Sequence, residues 1–291
     1  MFFYLAKIYA CICWRVQGVF GVNLRGLGFA LRLIRADRVL SVMGVKMYFN
    51  HKVATSYANP ITGIWNEPET HLLLNHVIPL LPAEAAFIDV GANVGEMVAD
   101  VTRHKNIVKI IAFEPVPECA RAIRETLSLN GYKNYQVIEK LAGEKTASVK
   151  FSTDGRNSVG SSVYSAESAG SASEVQMTTL DSETAGLPAH AVLLIDVEGY
   201  EPAVLKGGAR FIREKQPLII FEYNAISKKH YALSDIRKIL GDGYAIYRLR
   251  PDGRLDQEMG NTWNCVAVPG KTVFETICGD IIVNAAGSKS V

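Results

Sequence analysis

Short apolar runs recur through the middle of the chain, and each breaks at an acid, a glycine or a turn. Strands are predicted at 86–90, 108–113, 135–139, 191–195, 217–222, 244–249 and 263–268. The stretches between several of them carry helical spacing, predicting helices at 94–104, 117–130, 201–213 and 232–241. Asn130-Gly131 supplies a C-terminal stop for the second helix, and Ser234 is placed to cap the last. This βαβα rhythm predicts an α/β fold, a doubly wound, mostly parallel sheet of seven strands. Pro251-Asp252-Gly253 is turn chemistry, so the last two strands are expected to pair antiparallel.

Upstream, Glu67 to Leu81 carries apolar residues at 72, 73, 77, 78 and 80 and is closed by Pro82, which suits a helix leading into the first core strand. Asn59-Pro60 and Thr62-Gly63 mark a loop, Val45 to Val53 alternates weakly as a strand or hairpin, and residues 1–43 read as helical. Two units follow: a helical, basic appendage at 1–63 and a main domain at 64–291. Within the latter, Lys145 to Ser152 alternates like an edge strand. Ser152 to Ser173 then holds eight serines and three glycines in 22 residues. That composition suits either a linker or a lid over a substrate, in which Ser158, Ser161 and Ser162 would offer hydroxyls to a polyol.

The chemistry concentrates at Phe87 to Glu96, FIDVGANVGE. An apolar strand carrying Asp89 breaks into a turn with Gly91 and Gly95, and a helical stretch follows. Strand, glycine turn and helix together present backbone N–H groups and a helix N-terminus to a nucleotide-like ligand. Twenty-five residues after Asp89, the second strand ends in Glu114, placed to take the hydroxyls of a ribose. A dinucleotide fingerprint needs G-x-G-x-x-G, but the frame from Gly91 gives Asn93 and Glu96 at the other two glycine positions. An acid before the turn would also repel a pyrophosphate. It suits the sulfonium and ammonium of S-adenosylmethionine (SAM), which is expected here ahead of NAD(P).

Hydrophobic residues make up 48% and charged residues 21% of the 291, enough for a sizeable core. The net charge of +2 is unevenly spread. Residues 1–50 hold seven basic side chains and one acid, and the remainder sums to −4, so no polycationic surface for nucleic acid is implied. Five cysteines without C-x-x-C or metal spacing suit a reducing compartment, and a cytoplasmic location is expected. The first 34 residues are apolar and aromatic, but their longest uncharged run is nine residues, against the ~20 of a spanning helix. Two readings stand for residues 1–38: a cap packed on the main domain, or a basic amphipathic segment lying on an anionic membrane surface as a peripheral contact.

Taken together, FIDVGANVG (87–95), AFEPVPE (112–118), NSVGSS (157–162), TLDS (179–182), LLIDVEGYEPAVLKGG (193–208) and PLIIFEYN (217–224) resemble the FkbM family of SAM-dependent methyltransferases. The resemblance covers residues 64–224, and more weakly the C-terminal strands. It implies a class I, Rossmann-like methyltransferase fold and O-methylation of a hydroxyl on a sugar, a glycolipid or a small metabolite. It places Asp89, Gly91, Asn93 and Gly95 around the methionine end of SAM, Glu114 on the ribose, and Leu141 and Ala142 near the adenine. Where many relatives carry a Ser-Asp pair, this chain has Gly143-Glu144. Asp196, Glu198 and Glu222 are the candidate catalytic acids. Asp196, Glu222 and Asn224 would form an oxygen ligand set for Mg²⁺, by analogy with catechol-type O-methyltransferases. Alternatively, Asp196 or Glu198 would act as a metal-free general base, or Glu198 and Glu201 would only cap the following helix. A NAD(P)-linked oxidoreductase and a membrane-associated binding protein on a degenerate methyltransferase fold are the rival classes.

Overall fold

In the computed structural model, residues 2–22, 24–152 and 172–283 are described. Helices α1 (Phe2–Phe20) and α2 (Leu27–Arg32) precede a hairpin of β1 (Arg38–Val42) and β2 (Val45–Phe49). Helix α3 (Pro68–Leu80) leads into β3 (Ala85–Val90), α4 (Glu96–Val101), β4 (Ile107–Phe113), α5 (Pro117–Leu129) and β5 (Tyr135–Ile138). Next come β6 (Leu141–Ala142), β7 (Ala147–Ser152), β8 (Ala172–Thr178) and α6 (Leu180–Glu183). The chain continues through β9 (His190–Ile195), α7 (Glu201–Gly207), α8 (Ala209–Lys215), β10 (Leu218–Glu222) and α9 (Leu233–Leu240). It ends with β11 (Tyr244–Leu249), β12 (Leu255–Asp256), β13 (Asn264–Pro269), α10 (Val273–Gly279) and β14 (Ile282–Val283).

The main sheet has the order β14-β12-β11-β13-β10-β9-β3-β4-β5. Strands β5, β4, β3, β9 and β10 run parallel, and β13 inserts antiparallel between β10 and β11. All seven expected strands are present, and two-residue β12 and β14 extend the β11 edge to nine. From β3 the chain winds outward to β4 and β5, then returns to β9 on the other side. The boundary between β3 and β9 is therefore a topological switch point, whose crevice opens at the C-terminal ends of the strands. Side chains alternate across the sheet. Ala85 and Phe87 pack with α3, α4, α5 and α10, while Ala86, Ile88 and Val90 pack with α7, α8 and α9.

Four local expectations change. Residues 1–43 are not helical throughout: Met43 and Gly44 both adopt positive φ (47° and 87°), the two-residue turn that closes the β1–β2 hairpin. The helix expected at 94–104 shortens to α4, because Asn93 and Gly95 are left-handed. The helix expected at 201–213 divides at Gly208, where a Cβ would lie 2.8 Å from Leu180. Ser234 does not cap α9; Asp235 accepts the Ala232 N–H at 3.0 Å instead.

Residues 1–63 lie against α4 and α5. Ala6, Ala10, Leu31, Met47, Phe49 and Tyr57 share one apolar cluster with Val94, Ala99, Cys119 and Ala122. Asp37 pins the hairpin to α5 through an ion pair to Arg121 at 2.5 Å, and it accepts the His51 N–H at 3.0 Å. The strand expected at Lys145 to Ser152 forms as β7, Ala147–Ser152, in a separate three-stranded sheet ordered β6-β8-β7.

Candidate functional site

The turn after β3 closes on itself. Gly91 and Ala92 both donate their N–H to the Phe113 carbonyl, at 3.0 and 3.1 Å, and Gly95 donates to the Ala92 carbonyl at 2.8 Å. Asn93 donates its N–H to Glu114 Oε2 at 2.8 Å. The expectation that this turn offers its N–H groups to a ligand is overturned at these four positions, because the end of β4 takes three of them and the turn itself the fourth. Gly91 is forced by two constraints. Its φ is +87°, and a Cβ there would lie 1.9 Å from the Asp196 carbonyl oxygen. That contact draws the ends of β3 and β9 together across the switch point.

Glu114 is buried, with each carboxylate oxygen holding a backbone N–H: Asn93 on Oε2 and Val116 on Oε1, both at 2.8 Å. Each oxygen keeps one further lone pair for a hydroxyl donor. Burial raises the Glu114 carboxyl to about 8 against the pull of those two bonds. Asp89 is buried as well. Burial raises it to about 8, reinforced by the nearby charges of Glu67 and Glu114 and opposed by His71.

The cavity facing this turn has a wall the sequence reading did not name. Asn66, Glu67, Glu96 and Ser56 line it together with Asp89, Asn93 and Asp196, around about 90 Å³. That volume is well below the roughly 300–1,000 Å³ of a small-molecule pocket, so it suits one polar end of a ligand. Glu67 Oε2 accepts Asn264 Nδ2 at 2.8 Å and Thr70 Oγ1 at 3.1 Å, and burial raises its carboxyl. Glu96 accepts both the backbone and side-chain N–H of Asn66. His71 stacks on Trp65 at 4.5 Å and bonds Asp100 at 2.7 Å. Burial pulls its imidazole down, but hydrogen bonds to Asp100 and Glu96 outweigh it and the net shift is upward. The sequence held one signal for this wall: Glu96 stands where a dinucleotide turn needs its last glycine.

Across the crevice, β9 and β10 contribute a second set of acids. Asp196 is raised well above the carboxylate range by burial, then by Glu222, Glu67, Glu198 and Glu201. Glu222 is raised to about 9 by burial, then by Glu198, Glu201 and Glu67. Asp196 and Glu222 therefore share one electrostatic cluster. Glu198 sits in the tight turn with φ +54°. Glu201 Oε1 accepts the N–H of Val197 at 3.1 Å and of Gly199 at 3.3 Å, so it braces the turn ahead of α7, and no side chain caps the helix itself. Glu201 Oε2 and Glu222 Oε2 are buried with no hydrogen-bond partner among the described residues.

The Mg²⁺ expectation does not fit these donors. Asn224 Oδ1 already accepts the N–H of Ile226 at 2.7 Å and of Ser227 at 3.1 Å, and its amide nitrogen donates to Glu222 Oε1. It closes a turn, leaving a metal at most two carboxylates from the expected set of three. Among the described residues no group of three or more His, Cys, Asp or Glu is arranged to hold a metal ion.

Leu141 and Ala142 form β6, which leaves the main sheet just after β5. The Glu114 N–H bonds the Ile138 carbonyl at 3.0 Å, so this segment departs from beside the expected ribose site. Gly143 packs backbone to backbone on Gly207, where a Cβ would lie 1.9 Å from the Gly143 oxygen. Glu144 is exposed and pairs with Lys206 at 3.6 Å. Ser158, Ser161 and Ser162 lie outside the described residues.

The model of the methyltransferase FkbM domain matches residues 89–249, more than half of the chain and all the acids above except Glu67. The chain belongs to the FkbM methyltransferase family. Among solved structures, the FkbM methyltransferase from Methylobacillus flagellatus KT shares 19% identity over 82% of this chain, with a TM-score of 0.45. The chain spans 57% of that protein's length. An rRNA methylase from Streptococcus thermophilus shares 12% identity over 69% of this chain and 93% of its own, with a TM-score of 0.40. TYW2 from M. jannaschii, solved in complex with AdoMet, shares 11% over 80% and 85%, with a TM-score of 0.41. No curated protein matches the chain.

Proposed function

We propose that the chain binds SAM in the acid-lined crevice and methylates a hydroxyl oxygen of a sugar, a glycolipid or a small metabolite. The observation that carries this reading is the β3 turn, whose N–H groups at 91, 92, 93 and 95 are bonded internally while Asp89, Glu67 and Glu96 face the cavity. A pyrophosphate would meet acids and no free donor at those positions, which disfavours NAD(P). A cationic amino-acid end meets complementary charge.

When bound, SAM supplies an electrophilic methyl group on a sulfonium. Asp89, Gly91, Asn93 and Gly95, joined by Glu67, would hold its methionine end. Glu114 would accept the ribose hydroxyls on its two remaining lone pairs. Leu141 and Ala142 would flank the adenine. On the acceptor side, Glu222 Oε2 has no hydrogen-bond partner among the described residues and would be the atom to accept a hydroxyl proton, with Asp196 and Glu198 in the same cluster of acids. A carboxyl raised toward neutrality by burial ionises more readily opposite a cation, so the base would become competent when a positive charge occupies the crevice. Orientation of the hydroxyl in line with the leaving sulfur would supply much of the rate.

Calorimetric titration with SAM, S-adenosylhomocysteine and NAD tests the reading. Saturable binding of the first two, with NAD weaker by at least tenfold, is expected. Equal or tighter NAD binding would exclude the class.

A further inference from the structure

Helix α1 is apolar on both sides. Its inner face, Ala6 and Ala10 with half-buried Phe3 and Cys13, packs on the rest of the chain. Small residues there let the helix sit close. The opposite stripe, Tyr4, Ile8, Cys11, Arg15 and Val19, follows helical spacing and faces outward. Ile8 is 58% exposed, Val19 73%, and Phe29 on α2 71%. A groove of about 460 Å³ runs between the stripe and Thr62 and Ile64. The aromatics thus divide: Phe3 meets Phe49 edge to face, whereas Tyr4, Trp14 and Phe20 are exposed.

Charge distinguishes the candidate occupants. Residues 1–38 carry six basic side chains, Lys7, Arg15, Arg25, Arg32, Arg35 and Arg38, and all are exposed. The single acid, Asp37, is committed to Arg121, His51 and Tyr48 inside the fold. A second copy docking here would oppose like charges with no available acid between them. No described helix is long and apolar enough to cross a bilayer. Apolar side chains, exposed Trp and Tyr, and flanking Lys and Arg together match the headgroup boundary of an anionic leaflet.

We infer that the outward face of α1 docks the protein on anionic lipid membranes. Ile64 lies in the groove and Asn66 lines the acid cavity two residues later, at most about 7–8 Å of backbone away. Docking therefore brings the crevice to the lipid surface. Under the methyl-transfer reading above, this favours a lipid-linked hydroxyl over a freely diffusing acceptor.

Sedimentation of the full chain with vesicles tests the surface without relying on that reading. Vesicles containing phosphatidylserine should carry the protein down, and pure phosphatidylcholine should not. Raising salt from 0.1 to 1 M, which shortens the Debye length from about 10 to about 3 Å, should release it. Ile8→Glu with Ile12→Glu should abolish binding, and Lys7→Glu with Arg15→Glu should weaken it at least tenfold. These side chains are exposed, so circular dichroism and SAM affinity should stay unchanged in both variants. Absence of sedimentation, binding indifferent to lipid charge, or a dimer in light scattering that Ile8→Glu with Ile12→Glu dissociates would each overturn the inference.

Discussion

The two sides of the crevice both end in buried carboxylates, yet they treat them differently. On the β3–β4 side, both oxygens of Glu114 hold backbone N–H groups, and Gly91 locks the turn against Asp196. On the β9–β10 side, Glu222 and Glu201 each keep a buried oxygen with no partner among the described residues. A satisfied carboxylate is held in one orientation. An unsatisfied one is held at a cost of about 1–3 kcal/mol and is available to take a proton. Under the proposed function, the contrast would separate a binding half from a reacting half within one cluster of acids.

The sharpest way to break the comparison is Gly91→Ala, which attacks the contact joining the halves. The left-handed backbone costs a non-glycine residue about 1–2 kcal/mol, and overpacking against the Asp196 carbonyl adds about 1–3 kcal/mol. A loss of roughly 2–5 kcal/mol of stability is expected, with SAM binding lost in whatever protein remains folded. Urea unfolding that shows a change below about 1 kcal/mol would remove the proposed strain.

Glu114→Ala and Glu222→Ala then test the division directly. Loss of a hydrogen bond to a charged group costs about 1.5–3 kcal/mol, so Glu114→Ala should weaken SAM by tenfold or more. Glu222→Ala should leave SAM affinity within about threefold while removing methyl transfer to any acceptor that supports it. Calorimetry on the two variants is sufficient for the binding arm. Equal losses of affinity would merge the halves into one site.

A pH series sharpens the same point with a smaller effect. Asp89 and Glu114 are raised to about 8, and Glu222 to about 9, against ordinary values near 4 in the unfolded chain. The folded protein thus retains protons that the unfolded chain releases across that interval. Stability of the free protein should fall as pH rises from about 4 to about 9, the reverse of a carboxylate stabilised by an ion pair. SAM, bringing positive charge, should bind more tightly as pH rises, so its thermal shift should grow between pH 6 and 9. Asp89→Asn should flatten the slope of free-protein stability and weaken SAM. A slope of opposite sign in the wild-type chain would mean that these acids are ionised in the fold.

The main sheet was legible because burial writes short apolar runs, and every strand of it except two-residue β12 and β14 was placed from them. The acids at strand ends were legible for the same reason, since a charge that closes an apolar run stands out. The hairpin at 38–49 was not fully placed, because Met43 carries a left-handed turn without an Asn or Gly at that position to announce it. Glu67 was missed because its role depends on Asn264, 197 residues away, which no local pattern encodes. The commitment of the β3 turn's N–H groups to Phe113 and Glu114 was likewise invisible, being a contact between strands. Asn224 read as a ligand by analogy with catechol-type O-methyltransferases; only the turn it closes shows where its oxygen points.

The smallest expected effect concerns the position where this chain departs from the family pattern. Gly143 is fixed by its backbone contact with Gly207, and Glu144 points outward to Lys206, with both side chains more than half exposed. An exposed pair of this kind contributes about 0.2–1 kcal/mol and is screened by salt. Glu144→Ala should therefore shift stability by no more than that and leave SAM affinity unchanged. Adenine would then be held by the β6 segment through packing, without an acid at this position. A tenfold loss of SAM affinity in Glu144→Ala would place the carboxylate in the cofactor site and move the boundary between the two halves past β6.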